Sequence, residues 1–282
     1  MDKLHISIGQ INLQGARDAT DEIFVSAREL GLDLLAVQEH YQRANTRFMQ
    51  ASQAAVVVSS ERTACVFLAE LSNEYCSCIH IQTNAGNVYL VSANFKYSHR
   101  IEPHLEHLQH VINALKGKKI VICADTNTHS PVWHSRERQY IGRGSEAEER
   151  RTQLESFLAQ NTLNVENREG QPPTYSGPGG TSNIDVTAMS RGIVVNEWKV
   201  IEGASLSDHQ LIVAKVKIGE GWGSTTNEAA TTGSLVRRFR DRDVNWDRFR
   251  THLAARAEGM DERMSVEKYA RELCGLIGDD PP

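Results

Sequence analysis

Short apolar runs rich in β-branched residues recur along the chain, and several of them stop abruptly at an Asn, Asp, Gln or His. Runs of this length and composition predict strands over residues 4–11, 33–38, 54–58, 64–70, 77–83, 88–95, 119–124, 183–187, 194–200 and 210–217. Helical periodicity is confined to 17–30, 102–115 and 149–160. Successive strand runs with no helix between them imply antiparallel pairs. The expected fold class is therefore α/β: two mixed, mostly antiparallel sheets packed face to face as a sandwich, flanked by helices. No internal repeat is evident in the sequence.

The polar stops are where chemistry is expected. The run Ile120–Cys123 ends at Asp125-Thr126-Asn127, and Ser207-Asp208-His209 stands ahead of another apolar strand. The first strand ends at Asn12, and Leu34-Leu35-Ala36-Val37 ends at Gln38-Glu39. Polar groups just past the carboxyl ends of buried strands sit where open α/β sheets place their ligands. Glu39 is a hard oxygen donor suited to Mg²⁺, and Asn12 is a neutral donor and acceptor. The Asp208-His209 step offers an imidazole beside a carboxylate. Such a set suits phosphodiester chemistry, although Asp125-x-Asn127 on its own reads first as an Asx-type turn. No Cys₂His₂ or His-rich zinc pattern competes. His104, His107 and His110 recur at three-residue spacing as a solvated or half-buried helix face, and His129 and His134 read as loop-packing or substrate-side groups.

Composition narrows the class. The 282 residues are 40% hydrophobic, enough for one large α/β domain, and no run approaches a membrane span of roughly 20 apolar residues. A soluble, non-secreted protein is expected. Its five cysteines include no Cys-x-x-Cys pair, and Cys65, Cys76, Cys78 and Cys123 lie in strand runs, which fits a reducing compartment. The formal charge of −5 and pI near 6.1 run against a DNA-gripping surface. Basic residues are nevertheless concentrated near the candidate site: Arg136, Arg138, Arg143, Arg150 and Arg151 follow the Asp125 strand, and Lys96, His99 and Arg100 follow strand 88–95. After Ile218 the composition changes to a Gly/Ser/Thr-rich linker, 219–234, followed by a charged helical segment within 235–282.

The ordered strand-end set Asn12, Gln38-Glu39, Asp125-x-Asn127, Ile184-Asp185 and Ser207-Asp208-His209 resembles the endonuclease/exonuclease/phosphatase superfamily. Three further segments, Ala124–Trp133, Gly170–Tyr175 and Ser182–Thr187, are similar to the endonuclease domain of non-LTR retrotransposons of the R1 clade. The resemblance covers roughly residues 3–218, with Ala124 and Thr126 departing from the superfamily's usual Gly and Phe. It implies a DNase I-like four-layer fold over 1–218, and it makes 235–282 a connector toward a reverse transcriptase domain.

The resemblance also implies roles. Glu39 would hold Mg²⁺, with Mn²⁺ as a substitute, Asp208 would add a second carboxylate, and Asn12 would orient Glu39 or a metal-bound water. Asp185 would pair with His209, making it either a general base or a cation facing the phosphate. Asp125 and Asn127 would handle the attacking water or the leaving oxygen, and Tyr97 would donate to the phosphate. The implied reaction is nicking of double-stranded DNA at a genomic repeat, in the nucleus, to a 3′-hydroxyl and a 5′-phosphate. Arg136, Arg138, Arg143 and a hairpin-tip Arg191 are candidate DNA contacts. An abasic-site endonuclease or other phosphoesterase, and an inactive DNA-binding remnant, remain alternatives.

Overall fold

The computed structural model describes residues 5–218 apart from 42–47, 51–52, 61–62, 84–85, 136–144 and 179. The linker 219–234, the segment 235–282 and the arginines Arg136, Arg138 and Arg143 lie outside the described residues. In chain order the first half holds β1 (His5–Asn12), α1 (Arg17–Glu29), β2 (Leu34–Gln38), β3 (Phe48–Gln50), β4 (Ala54–Val58), β5 (Ala64–Phe67), β6 (Cys76–Thr83) and β7 (Gly86–Asn94). The second half holds α2 (Glu102–Ala114), β8 (Lys119–Asp125), α3 (Ser145–Gln160), β9 (Asn164–Val165), β10 (Tyr175–Gly177), β11 (Gly180–Ser182), β12 (Asp185–Met189), β13 (Ile193–Ile201) and β14 (Leu211–Ile218).

These strands form two six-stranded sheets, ordered β13-β14-β1-β2-β4-β3 and β5-β6-β7-β8-β12-β9, and a separate β10-β11 hairpin. Each sheet is built around one β-α-β unit. β1 pairs parallel with β2 across α1, and β7 pairs parallel with β8 across α2; the remaining pairings are antiparallel. The expected mixed, mostly antiparallel sandwich is therefore present. The topology repeats between the sheets although the sequence does not.

Period-2 alternation explains both the layers and the site. On β1, Ile6 and Ile8 point between the sheets, where they meet Leu34, Ala36, Leu90, Val121 and Cys123 in one buried cluster. The opposite faces carry Ile11, Leu35 and Val37 against Ile23 and Ala27 of α1, and Val91, Ile120 and Ile122 against Leu108, Val111, Leu154 and Phe157 of α2 and α3. The result is four layers, helix, sheet, sheet and helices, with each fully buried large apolar side chain contributing roughly 1.5–3 kcal/mol. Gly9 is demanded by close approach, since a Cβ there would lie 2.6 Å from Leu35 Cδ1 and 2.7 Å from Leu32 Cδ1.

Several boundaries differ from expectation. Strand 64–70 stops at Phe67 because Ala69–Leu71 winds into a 3₁₀ turn, strand 183–187 starts at Asp185 and runs to Met189, and helix 149–160 begins at Ser145. β3, β9, β10 and β11 are two or three residues long, too short for any period to show. His104 is buried rather than solvated, stacked on Phe95 at 5.2 Å. Cys76, Cys78 and Cys123 are buried free thiols, and burial pushes Cys78 and Cys123 up to about 12. Among the described residues no helix is long and apolar enough to cross a membrane.

Candidate active site

Following the inner faces toward the carboxyl ends of the parallel strands, apolar residues give way to polar ones. Gln10 Nε2 donates to the carbonyls of Ala124 and Val186 in the facing sheet, at 3.2 and 3.3 Å, and its Oε1 accepts from Thr187 Oγ1 at 2.9 Å. Gln38 Nε2 donates to Ser92 Oγ at 2.9 Å and Cys123 O at 3.2 Å, while Ser92 Oγ donates to Val37 O at 3.0 Å. This buried layer ties the two sheets together immediately below the strand ends. Buried amides without such partners would cost about 1–3 kcal/mol each.

One residue further, the strand ends pair crosswise. Asn12, ending β1, donates Nδ2 to Asp125 Oδ2 at 2.7 Å at the end of β8. Asn94, ending β7, donates Nδ2 to Glu39 Oε1 at 3.1 Å, just past β2. Asn127 adds its backbone N–H to Asp125 Oδ1 at 3.1 Å and its side-chain Nδ2 to Asp125 Oδ2 at 3.2 Å. Three non-glycine residues turn the chain sharply after these strands with positive φ: Gln14 at 51°, Glu39 at 45° and Asn127 at 48°. Such conformations cost of order 1–3 kcal/mol and persist where surrounding contacts impose them.

Asp185, beside Asp125 in the β8-β12 register, holds His209 Nδ1 at 2.9 and 3.1 Å. Both are buried, at 1% and 5% exposure. The Gly170–Tyr175 segment seats them: Thr174 Oγ1 accepts from the Ile184 and Asp185 N–H groups, and the Tyr175 ring meets His209 edge-on at 5.0 Å. Ser207 Oγ donates to Asn12 O at 2.7 Å and accepts from His209 N at 3.1 Å, fastening the histidine to β1. Burial alone would lower the pKa of His209, but the carboxylates of Asp185, Asp125 and Glu39 outweigh it and lift His209 to about 9. Burial, then the neighbouring Asp185 charge, raises Asp125 to about 7, against the opposing pull of His209, Asn12 and Asn127. The imidazole is thus charged near neutral pH, and Asp125 titrates there.

Asn12, Glu39, Tyr97, Asp125, Asn127 and His209 line one cleft of about 460 Å³. Six of the eight expected catalytic residues share its wall directly, and Asp185 reaches it through His209. Asp208 is placed differently. Its backbone N–H donates to Gln14 Oε1 at 3.0 Å, Gln14 Nε2 approaches its Oδ2 at 3.4 Å, and the carboxylate is not part of the cleft wall. Asn12 faces Asp125 rather than Glu39, and the residue that orients Glu39 is Asn94, which no motif flagged. Lys96 and His129, expected near the site, also line the cleft, as does Tyr175 of the Gly170–Tyr175 segment; Gln14 lines it too and was not singled out.

Among the candidate DNA contacts, only Arg191 lies within the described residues, and it stands away from the cleft. Arg191 sits in the β12-β13 turn beside the amino-terminal end of β8, where Ser190 N–H bonds Ile120 O, at the opposite end of the strand from Asp125. Arg150 is buried, with its guanidinium turned inward. Arg151 forms an ion pair with Glu148 at 3.5 Å along α3.

The donor chemistry fits a divalent cation. Asp125, Asp185 and His209 offer ligand atoms within 4.8 Å of one another, and the Glu39 carboxylate enters the same cleft with one oxygen held by Asn94. Because His209 Nδ1 is already committed to Asp185, and both Asp125 oxygens accept from Asn12 and Asn127, the Glu39 carboxylate is the natural donor for a hard ion.

Residues 83–213 match the family model described as "Endonuclease-reverse transcriptase". The chain is 26% identical over 206 residues, 72% of its length, to the "Retrovirus-related Pol polyprotein from type-1 retrotransposable element R1" of Bradysia coprophila. It is 23% identical, over 97% of its length, to the "Putative 115 kDa protein in type-1 retrotransposable element R1DM" of Drosophila melanogaster. It spans only 20% and 27% of the length of these two relatives. Among solved structures, the endonuclease domain of TRAS1, a telomere-specific non-LTR retrotransposon, matches with a TM-score of 0.67 and 25% identity, covering 76% of this chain and 99% of that domain. The AP endonuclease LMAP of Leishmania major shares the fold, with a TM-score of 0.59 at 11% identity, covering 76% of this chain and 88% of that one. Family model, relatives and fold agree with the strand-end residues: the chain resembles the endonuclease/exonuclease/phosphatase superfamily and, within it, the endonuclease domains of R1-type non-LTR retrotransposons.

Proposed function

We propose that this domain is a Mg²⁺-dependent DNA endonuclease that nicks one strand of a double-stranded genomic repeat, leaving a 3′-hydroxyl to prime reverse transcription. The observation that carries the reading is the constellation itself: an Asn12-held Asp125 beside the buried Asp185–His209 pair, with the Glu39 carboxylate in the same cleft. In the full element a reverse transcriptase would follow, and the reaction would take place in the nucleus.

Glu39 is the residue that would hold the cation, which when bound neutralises phosphate charge and polarises the phosphorus–oxygen bonds. His209, kept charged by the carboxylates around it, acts as a fixed cation facing the scissile phosphate rather than as the base. Asp125 takes the proton of the attacking water, its carboxylate aimed by Asn12 and Asn127 and poised near neutrality. As water attacks phosphorus, the bond to the 3′ oxygen breaks; that oxygen takes a proton from solvent water and the phosphate stays on the 5′ side. Tyr97 on the cleft wall donates to the phosphate as negative charge builds.

Conversion of supercoiled plasmid to open circles tests the reading. Nicking that requires Mg²⁺, stops in EDTA and is lost in Asp125→Ala and His209→Ala is the expected result. Intact plasmid with folded wild-type protein would defeat it, and incision confined to abasic DNA would reassign the domain to repair-type chemistry.

A further inference from the structure

Arg150 is the most densely bonded side chain of the described residues outside the catalytic set. Its residue is 8% exposed, at the start of α3. Nε donates to Thr128 Oγ1 at 3.0 Å and Thr126 O at 3.3 Å; Nη1 donates to His99 O at 2.8 Å; Nη2 donates to Phe95 O at 2.9 Å and Thr126 O at 3.0 Å. These acceptors belong to two loops. Phe95 and His99 bracket Lys96 and Tyr97 after β7, while Thr126 and Thr128 bracket Asn127 after β8.

The two loops meet at shared atoms. Phe95 N–H donates to Asp125 O at 2.8 Å, and Phe95 O accepts from Asn127 Nδ2 at 3.3 Å as well as from Arg150. His104 supports the same wall from below, stacked on Phe95 at 5.2 Å and on His99 at 5.7 Å. Carbonyls at strand exits have no ladder partners, so a rigid fork of five N–H donors is the one side chain able to collect them together.

We infer that Arg150 is a positioning residue, whose buried guanidinium locks the Tyr97 loop and the Asn127 loop into a single preorganised wall facing the phosphate. It acts through the backbone of the residues on either side of Tyr97 and Asn127. A lysine keeps the charge and loses the fork, so Arg150→Lys separates geometry from charge.

The inference rests on the reading of the cleft as a phosphodiesterase site, and the two fail separately. Hydrogen exchange of the full chain tests the clamp whatever the activity, and plasmid nicking tests its consequence. In Arg150→Ala and Arg150→Lys, exchange should rise in 95–100 and 126–129 while β1 and β6 amides keep wild-type protection. Turnover should fall by about a hundredfold, as for a displacement of about 1 Å of reacting groups. KM for plasmid should change by less than about threefold, because ground-state binding is untouched. Guanidinium added to Arg150→Ala should restore part of the turnover. If Arg150→Ala fails to fold, Arg150→Lys decides. Unchanged exchange in both loops, a rise in KM with unchanged turnover (a direct DNA contact), or uniform loss of protection across the domain would each overturn the inference. Absence of nicking by wild-type protein would remove the reaction and leave the exchange result to judge the clamp.

Discussion

The Asn94 amide donates to the Glu39 carboxylate across the gap between the two sheets, at 3.1 Å. Asn12 and Asp125 form the reciprocal pair at 2.7 Å, so each β-α-β unit supplies an asparagine to the carboxylate of the other. The active-site carboxylates are thus held by the face-to-face packing of the sheets, and a change at either strand end should be felt by the chemistry of the opposite sheet.

Asn94→Ala should loosen Glu39 without unfolding the domain. Removing the partner that orients a metal-binding carboxylate weakens metal affinity by about 10–100-fold, so half-saturating Mg²⁺ should rise by that factor. Calorimetric titration of Mg²⁺ into the variant, alongside nicking as a function of Mg²⁺, measures it. Unchanged metal affinity would mean that Asn94 serves only the fold.

The glutamines beneath the site should differ in their worth. All the polar atoms of Gln10 that face the other sheet are bonded, whereas Gln38 Oε1 is buried without a partner. Gln10→Leu strands the Ala124 and Val186 carbonyls and should cost roughly 1–3 kcal/mol. Gln38→Leu removes an unsatisfied acceptor together with its good bonds and should cost less. Urea unfolding of the two variants gives the comparison.

The stability of the metal-free domain should fall as pH rises through neutrality. His209 has its folded pKa raised to about 9, so its contribution is fully present below the unfolded value near 6.5 and disappears as pH climbs through about 9. Asp125 is raised to about 7, so its buried charge destabilises the fold increasingly from about pH 4 up through 7. Both slopes have the same sign, and the steps belong to the coupled pair. Melting temperatures in EDTA should decline from pH 6 to 9, and the decline should flatten in Asp185→Asn. A melting temperature that climbs over this range would contradict the assignment.

Beside Tyr175 and Asp208, Gly177 has no room for a side chain. A Cβ there would collide with the Tyr175 hydroxyl and stand 2.8 Å from Asp208 Oδ2. Gly177→Ala should push Tyr175 off the edge of His209 and lower nicking by about tenfold or more, since small displacements near reacting groups are costly. Thermal unfolding monitored by circular dichroism should be nearly unchanged, because Gly177 lies on the separate β10-β11 hairpin.

The short apolar runs were enough to mark the strands that carry Ile8, Leu34 and Val121, and the polar stops at Asn12, Glu39 and Asp125 marked the carboxyl ends where a site forms. These features are local: an apolar run and the polar residue that stops it are written in consecutive positions. Asp185 and His209, 24 positions apart, were matched in advance only through the family resemblance. What tertiary structure alone decided was which strand ends face each other. It turned Asn12 toward Asp125, recruited Asn94 to Glu39, left the Asp208 carboxylate off the cleft wall, and carried Arg191 to the far end of the sheet. It also drew Arg150 inward, because unpaired loop carbonyls offer a guanidinium more than solvent does once two distant loops converge. Crosswise pairing depends on the register between two sheets, and no stretch of either sheet's own sequence encodes the position of the other.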